Sequence, residues 1–152
     1  MTQVSWERPC LEWGGSFMRA HYEQMVRDTE KRAQRHLKTQ NLDSGSPYYG
    51  AFVMPDGVYM QKHALYCIAD MGAVYCNADS KLYHDEKLLA SMLVGLDYVR
   101  SQQHENGLFD YITCNFFSAP DTAFCIVKCQ DLQFAVFVDW GTQVNDLAVE
   151  LA

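Results

Sequence analysis

No stretch of this chain approaches the roughly 20 apolar residues that a bilayer-spanning helix needs. Positive charge is scarce as well. Twelve Lys and Arg stand against 19 Asp and Glu, for a formal charge of −7. A general nucleic-acid binder needs a basic footprint to displace counterions from phosphates, and an anionic membrane surface asks for the same. Neither nucleic acid nor membrane is expected as a partner. Residues 1–13 carry Glu7 and Arg8 and contain no apolar core of the secretory kind, so a cytoplasmic location is expected. The six cysteines (Cys10, Cys67, Cys76, Cys114, Cys125 and Cys129) include no Cys-x-x-Cys pair. They read as reduced thiols rather than a disulfide framework. Cys125 and Cys129 are spaced for one helix face, but no second pair completes a zinc tetrad, and no metal is expected. There is no P-loop, no G-x-G-x-x-G, no G-x-S-x-G elbow and no H-E-x-x-H, and no cofactor is expected.

What is present suits a folded domain. Apolar residues make up 49% and charged residues 20%, enough apolar surface to offset the entropy of ordering. A chain of 152 residues is the size of one ordinary domain. Aromatics at 13% are abundant, and so many rings either fill a core or line a binding surface.

Three segments carry helical periodicity. In 16–39, Met18, Tyr22, Met25, Val26, Thr29, Ala33 and Leu37 recur at three- and four-residue steps, with charged residues opposite. That charged face reads most simply as solvated, and the apolar stripe calls for a partner. In 60–76, Leu65, Ile68, Ala69, Gly72 and Tyr75 share a stripe on a segment with little charge anywhere, which predicts burial on more than one side. In 84–103, Leu88, Leu89, Met92, Leu93, Leu96 and Val99 form the clearest stripe. Asp85 and Glu86 stand at its start, Arg100 near its end, and Gly107 follows where a left-handed turn would close it. Between the first two segments, 40–57 reads as a loop with a Pro55-Asp56-Gly57 turn. After an extended piece from Leu108, a fourth helix is expected to start near Ser118 or Asp121. Residues 132–140, β-branched and aromatic, read as a strand, and 143–152 as a weak helix.

Residues 80–124 carry the pattern with chemical content. Gln103, His104, Asn106 and Gly107 end the third helix, and Asp110, Asn115-Phe116, Ser118, Pro120 and Asp121-Thr122-Ala123-Phe124 follow. This resembles the first helical hairpins of heparinase II/III-like and related (α/α)-toroid proteins of carbohydrate metabolism, in which a "QHPDG" type turn leads into a "TNFHSPPDTAF" type segment. Tyr49-Gly50 through Pro55-Asp56-Gly57 looks like the preceding hairpin. The resemblance covers residues 16–128 and leaves 129–152 as an atypical tail. It implies a mainly α fold of helical hairpins from an incomplete toroid, with a β-like end, as a piece of a longer architecture. It further implies a carbohydrate-active protein, resembling polysaccharide lyases or hydrolases that act on uronate glycans, with an oligosaccharide or polysaccharide as partner. One departure is Phe117, where the family-like pattern has His. That change and the unclosed toroid imply a chain inactive alone.

A lyase needs a donor that neutralises a uronate carboxylate and a base within hydrogen-bond reach. A hydrolase needs paired carboxylates. Asn115 is the candidate neutraliser, and Asp121 the candidate catalytic carboxylate with Asp110 nearby. Tyr48 and Tyr49 are candidates for an aromatic platform under a sugar ring, and His63 and Asp110 for pocket roles. Asn115 and Asp121 are expected to face the same concave side as Tyr48 or Tyr49. Plainer alternatives stand beside these. Asn115 or Asp121 would simply cap local turns, the tyrosines would pack over helix ends, and His104 would complement a helix dipole. A different class of function, a non-catalytic helical interaction module, follows if the uncovered apolar stripes bind a partner or drive self-association.

Overall fold

The computed structural model describes residues 16–111 and 115–138. In order, the elements are α1 (Ser16–Thr39), α2 (Gln61–Tyr75), α3 (Glu86–Ser101), β1 (Phe109–Tyr111), β2 (Asn115–Ser118) and α4 (Ala119–Val138). The described chain is mainly helical with one small two-stranded sheet. No described helix is long and apolar enough to cross a membrane.

Side-chain contacts fix each helix direction against α2. Tyr22, early in α1, reaches Asn77 and Asp79 beyond the end of α2, while Arg32 meets Asp70 and the C-terminal end of α1 bonds the following loop through Thr39 and Val53. α1 therefore runs antiparallel to α2. Gly95 of α3 lies against Ile68 and Met92 lies near Gly72, so α3 is antiparallel as well. Lys62 meets Asp121, Lys128 meets Tyr66, and Leu132 meets Gly72, so α4 runs parallel to α2. α2 is thus flanked by all three other helices. Its burial on most sides, at Leu65, Cys67, Ile68, Met71 and Val74 among others, follows from a sequence with two formal charges, Lys62 and Asp70.

Local signals set the ends. Asp85 caps α3, its carboxylate accepting from the Lys87 and Leu88 backbone amides at 2.9 and 3.0 Å. Gly107 closes the turn after α3 at φ 81, its amide donating to the His104 carbonyl. Gly57 closes the Pro55 turn in the same way at φ 84. Within the third stripe, Met92 and Leu96 are fully buried, whereas Leu89 and Leu93 are half-buried. α1 packs by its second half: Ala33 is buried, but Met18, Tyr22 and Met25 stay exposed, so much of its apolar stripe has no cover among the described residues.

The expected strand at 132–140 is corrected. Residues 132–138 continue α4 without a break. Cys125, Cys129 and Leu132, spaced by four and three, bury one helical face, and Leu132 seats over Gly72. That packing overrides the strand preference of the β-branched and aromatic residues that follow. The rest of that segment and the weak helix expected at 143–152 lie outside the described residues. The sheet adds a feature the sequence did not announce. Asn115–Ser118 pairs with Phe109–Tyr111, with Phe109 opposite Ser118 and Tyr111 opposite Asn115. Phe116 and Phe117 therefore oppose the single residue Asp110, a bulge, and Phe117 takes the left-handed φ of 53.

Gly50 supplies a test of this packing. It sits at φ 88, and a Cβ there would lie 2.3 Å from the Val94 carbonyl oxygen. Gly50→Ala combines a left-handed backbone penalty with a clash against backbone, and should cost about 3 kcal/mol. Gly57→Ala, at φ 84 in open space, carries only the backbone penalty, roughly 1–2 kcal/mol. Urea midpoints measured for both variants check the order. Equal losses would contradict the close approach of the loop to α3.

Candidate functional site

Because α2 and α4 run parallel, their N-termini lie at the same end of the bundle. The C-terminal ends of α1 and α3 and the loop between α1 and α2 gather there too. This end holds Asn115, Asp121, Asp110 and His63.

The fourth helix begins with a reciprocal cap. The Ser118 hydroxyl accepts from the Asp121 backbone amide at 3.2 Å and donates to Asp121 Oδ2 at 2.6 Å. Thr122 Oγ1 donates back to the Ser118 carbonyl at 2.7 Å and accepts from the Phe109 amide at 2.9 Å, which locks the hairpin onto the helix. Asn115 Nδ2 donates to the same Ser118 oxygen at 3.1 Å. Asp121 Oδ1 faces Lys62 Nζ at 3.0 Å. The Ser118 hydrogen bond, followed by Lys62, holds the Asp121 carboxyl below its ordinary range despite the opposing effect of burial. Both carboxylate oxygens of Asp121 are therefore engaged.

Lys62 is the centre of this cluster. Its ammonium also lies 4.6 Å from the Phe124 ring centroid and 5.6 Å from that of Tyr111. The hydrogen bond to Asp121 raises its pKa, so it stays a cation. Gln61, the residue before it, donates through Nε2 to the Asp110 carbonyl. The first turn of α2 thus grips both β1 and α4.

Asp110 uses its carboxylate on the bulge. Oδ1 accepts from the Phe117 amide at 2.8 Å and lies 3.0 Å from His104 Nε2. The Phe117 bond, with His104 second, lowers the Asp110 pKa. The His104 ring packs on Phe117 at 4.4 Å between centroids. The position where the family-like pattern has His is here the ring that packs on a different histidine.

The remaining nominees make other contacts. Tyr48 stacks on Tyr59 at 4.8 Å with the rings within 14° of parallel, so one of its faces is already covered. Tyr49 is 42% exposed. His63 Nε2 lies 3.5 Å from Cys67 Sγ, one turn along α2. Burial and the neighbouring His36 lower the His63 pKa, against a smaller opposing effect of Asp56. His63 therefore belongs to the α1-facing side of α2, where His36 and Arg32 hold Asp70. The structure brings Asn115 and Asp121 together through Ser118 and sets Asp110 beside them through Gln61. The partners of that cluster include neither Tyr48 nor Tyr49.

Three of the four described cysteines are held as buried thiols. Cys67, Cys76, Cys125 and Cys129 are free thiols. Burial pushes Cys67 and Cys125 up to about 12 and Cys129 up to about 11, so these three stay protonated. Among the described residues no three His, Cys, Asp or Glu side chains gather as a metal-binding group. Cys10 and Cys114 lie outside the described residues.

Sequence reasoning missed Lys62. It stands only 59 positions before Asp121, and nothing local connects the two. Its single signal is a lone cation at the start of an otherwise almost uncharged helix.

His63 yields a pH prediction. Its folded-state pKa is lowered, so the native state favours neutral imidazole and the unfolded chain binds the proton more readily. Stability is then fully present above the ordinary histidine value of about 6.5 and is lost as pH falls below it, through the lowered value. Urea midpoints from pH 7 to 5 should decline, and His63→Gln should flatten that decline. An unchanged acid limb in the variant would assign it to other groups. A separate loss, below about pH 4, belongs to Asp70 and Asp121, whose lowered pKa values act through the same linkage.

The chain matches no family model, no curated protein and no solved structure.

Proposed function

We propose that this chain is a carbohydrate-binding unit built of (α/α)-toroid hairpins, taking a uronate-containing oligosaccharide or polysaccharide at the N-terminal ends of α2 and α4. The helix directions support the toroid reading. Successive helices alternate in direction, and α2 packs against α4 as well as against its two neighbours in sequence, an arrangement that further hairpins would extend into a ring.

The single observation that carries the ligand is the environment of Lys62: a partly buried ammonium beside the Tyr111 and Phe124 rings, linked to the Asn115 amide through Asp121 and the Ser118 hydroxyl. A uronate offers the complement, a carboxylate for the cation and a sugar face for a ring. In this reading Lys62 takes the neutralising role first assigned to Asn115, and Asn115 orients. Asp121 is a positioning residue that holds Lys62 until the ligand carboxylate takes its place. His104 with Asp110 is the nearest acid–base pair, but the Phe117 ring lies against that imidazole. Binding without turnover is the expected behaviour of this chain.

A second reading, a helical interaction module, is favoured by the apolar surface next to the same cluster. Phe116, Phe117, Phe124 and Val127 are 72, 54, 53 and 50% exposed.

Calorimetric titration with a uronate tetrasaccharide should show binding that Lys62→Met weakens roughly tenfold or more, the loss of one charge-assisted contact. A neutral tetrasaccharide should bind no better to the wild type than the uronate does to that variant. Ultraviolet absorbance should reveal no unsaturated product. No heat of binding with either sugar would leave the interaction module as the better reading, and formation of unsaturated product would overturn the assignment of an inactive chain.

A further inference from the structure

Basic residues are few, and half of them lie on one helix. α1 carries Arg19, Arg27, Lys31, Arg32, Arg35 and Lys38, six of the chain's 12, against Glu23, Asp28 and Glu30, three of its 19 acidic residues. α1 is therefore +3 in a chain of −7, which leaves −10 for the rest. The six are not scattered. Arg32 turns inward to Asp70, with Nε at 2.9 Å. Arg27, Lys31, Arg35 and Lys38, at steps of four, four and three, fall on one face and are all exposed. At 100° and 1.5 Å per residue they occupy a strip about 80° wide and roughly 16 Å long.

Their own neighbours neutralise only half of the strip. Arg27 lies 3.8 Å from Glu23, and Lys31 lies 3.1 Å from Asp28. Among the described residues Arg35 and Lys38 are in no ion pair. Four cations in line also repel one another at the i, i+4 spacing, a small cost that folding alone does not require.

We propose that this face of α1 is a docking surface for an acidic helix of a partner protein, one that presents Asp or Glu at four-residue steps. The chemistry of the strip selects that occupant. At its edges lie Gln24 and Gln34, which are exposed amides, and Asp28, the carboxylate already paired with Lys31. It holds no aromatic ring on which a base would stack and no apolar side chain to enter a bilayer. A row of cations at helical repeat matches a row of carboxylates at the same repeat, as in the charged flanks of paired helices. The net charge of −7 does not forbid this. Beyond a Debye length of about 8 Å the acidic remainder is screened, while contacts at the strip are not.

The test uses the full chain and a fluorescent synthetic helix with Glu at four-residue steps, followed by anisotropy. Binding is expected at low ionic strength and its loss at about 0.5 M salt. The same peptide with Gln in place of Glu should not bind. R35E/K38E should weaken binding roughly tenfold or more, because each rim charge turns from attractive to repulsive. Neither side chain is in an ion pair of the fold, and circular dichroism of the variant checks that the helices remain. If the reversal unfolds the chain, R35Q/K38Q is read instead, with a smaller loss expected. Equal binding by wild type and variant would overturn the proposal. So would tighter binding of single-stranded DNA, of a uronate oligosaccharide or of phosphatidylserine vesicles in a manner that R35E/K38E abolishes. Low-salt self-association that the same variant abolishes would make a second copy the occupant and would equally overturn it.

Discussion

α2 has two formal charges, and each fastens a different neighbour. Lys62 at one end pairs with Asp121 of α4, and Asp70 further along pairs with Arg32 and His36 of α1. The rest of the helix is largely apolar and mostly buried, and Gln61 adds a hydrogen bond to the Asp110 carbonyl, so these two pairs are the ionic fixings of an element otherwise held mainly by packing. Both are partly buried. The Lys62 and Asp121 side chains are 24 and 16% exposed, more sheltered than the surface pairs that screening reduces to about 0–1 kcal/mol. Leaving one partner without the other would strand a half-buried charge, and that asymmetry makes such pairs specify orientation. Burial alone would raise the Asp70 pKa; hydrogen bonds from His36 and Arg32 outweigh it and keep the carboxylate ionised.

The candidate site is a consequence of that fastening. Pairing Lys62 with Asp121 sets the N-termini of two parallel helices side by side, and the β-bulge is then drawn down onto the first turn of α2 by Gln61. The bulge in turn needs Asp110. A residue at left-handed φ with an unpaired amide is costly, and the Asp110 carboxylate satisfies that amide at Phe117. One carboxylate caps a helix and holds Lys62, and the next holds the bulge.

Much of the site's composition was legible, but its connections were not. Asn115, Asp110 and Asp121 stood out as polar residues in a loop between helices, and the cap at Ser118 follows from local sequence because N-capping is a contact within three residues. The contact between Asp121 and Lys62 spans two helices and a hairpin, and no periodicity reports it. Tyr48 and Tyr49 stood out as exposed rings, yet the stack of Tyr48 on Tyr59 depends on how the loop folds back through the Val53–Tyr59 bridge. His63 stands out in the sequence as a pocket candidate, and the side of α2 it faces is set by packing. Its contacts with Cys67 and its proximity to His36 place it toward α1.

The sequence by itself determined where three helices run, that the second is buried on several sides, and where Asp85, Gly57 and Gly107 start or stop the chain's elements. Those are local matters of hydrophobic period, side-chain caps and glycine's freedom at positive φ. Tertiary structure alone decided the state of residues 132–138. Their β-branched and aromatic side chains favour a strand, but Gly72 leaves a gap on α2 that Leu132 fills, and the helix that carries Cys125 and Cys129 runs on to fill it. It also decided that, among the described residues, α1 finds cover only for its second half, because α2 ends level with Tyr22. A stripe in a sequence states what can be buried; the length and position of the neighbour state how much of it is.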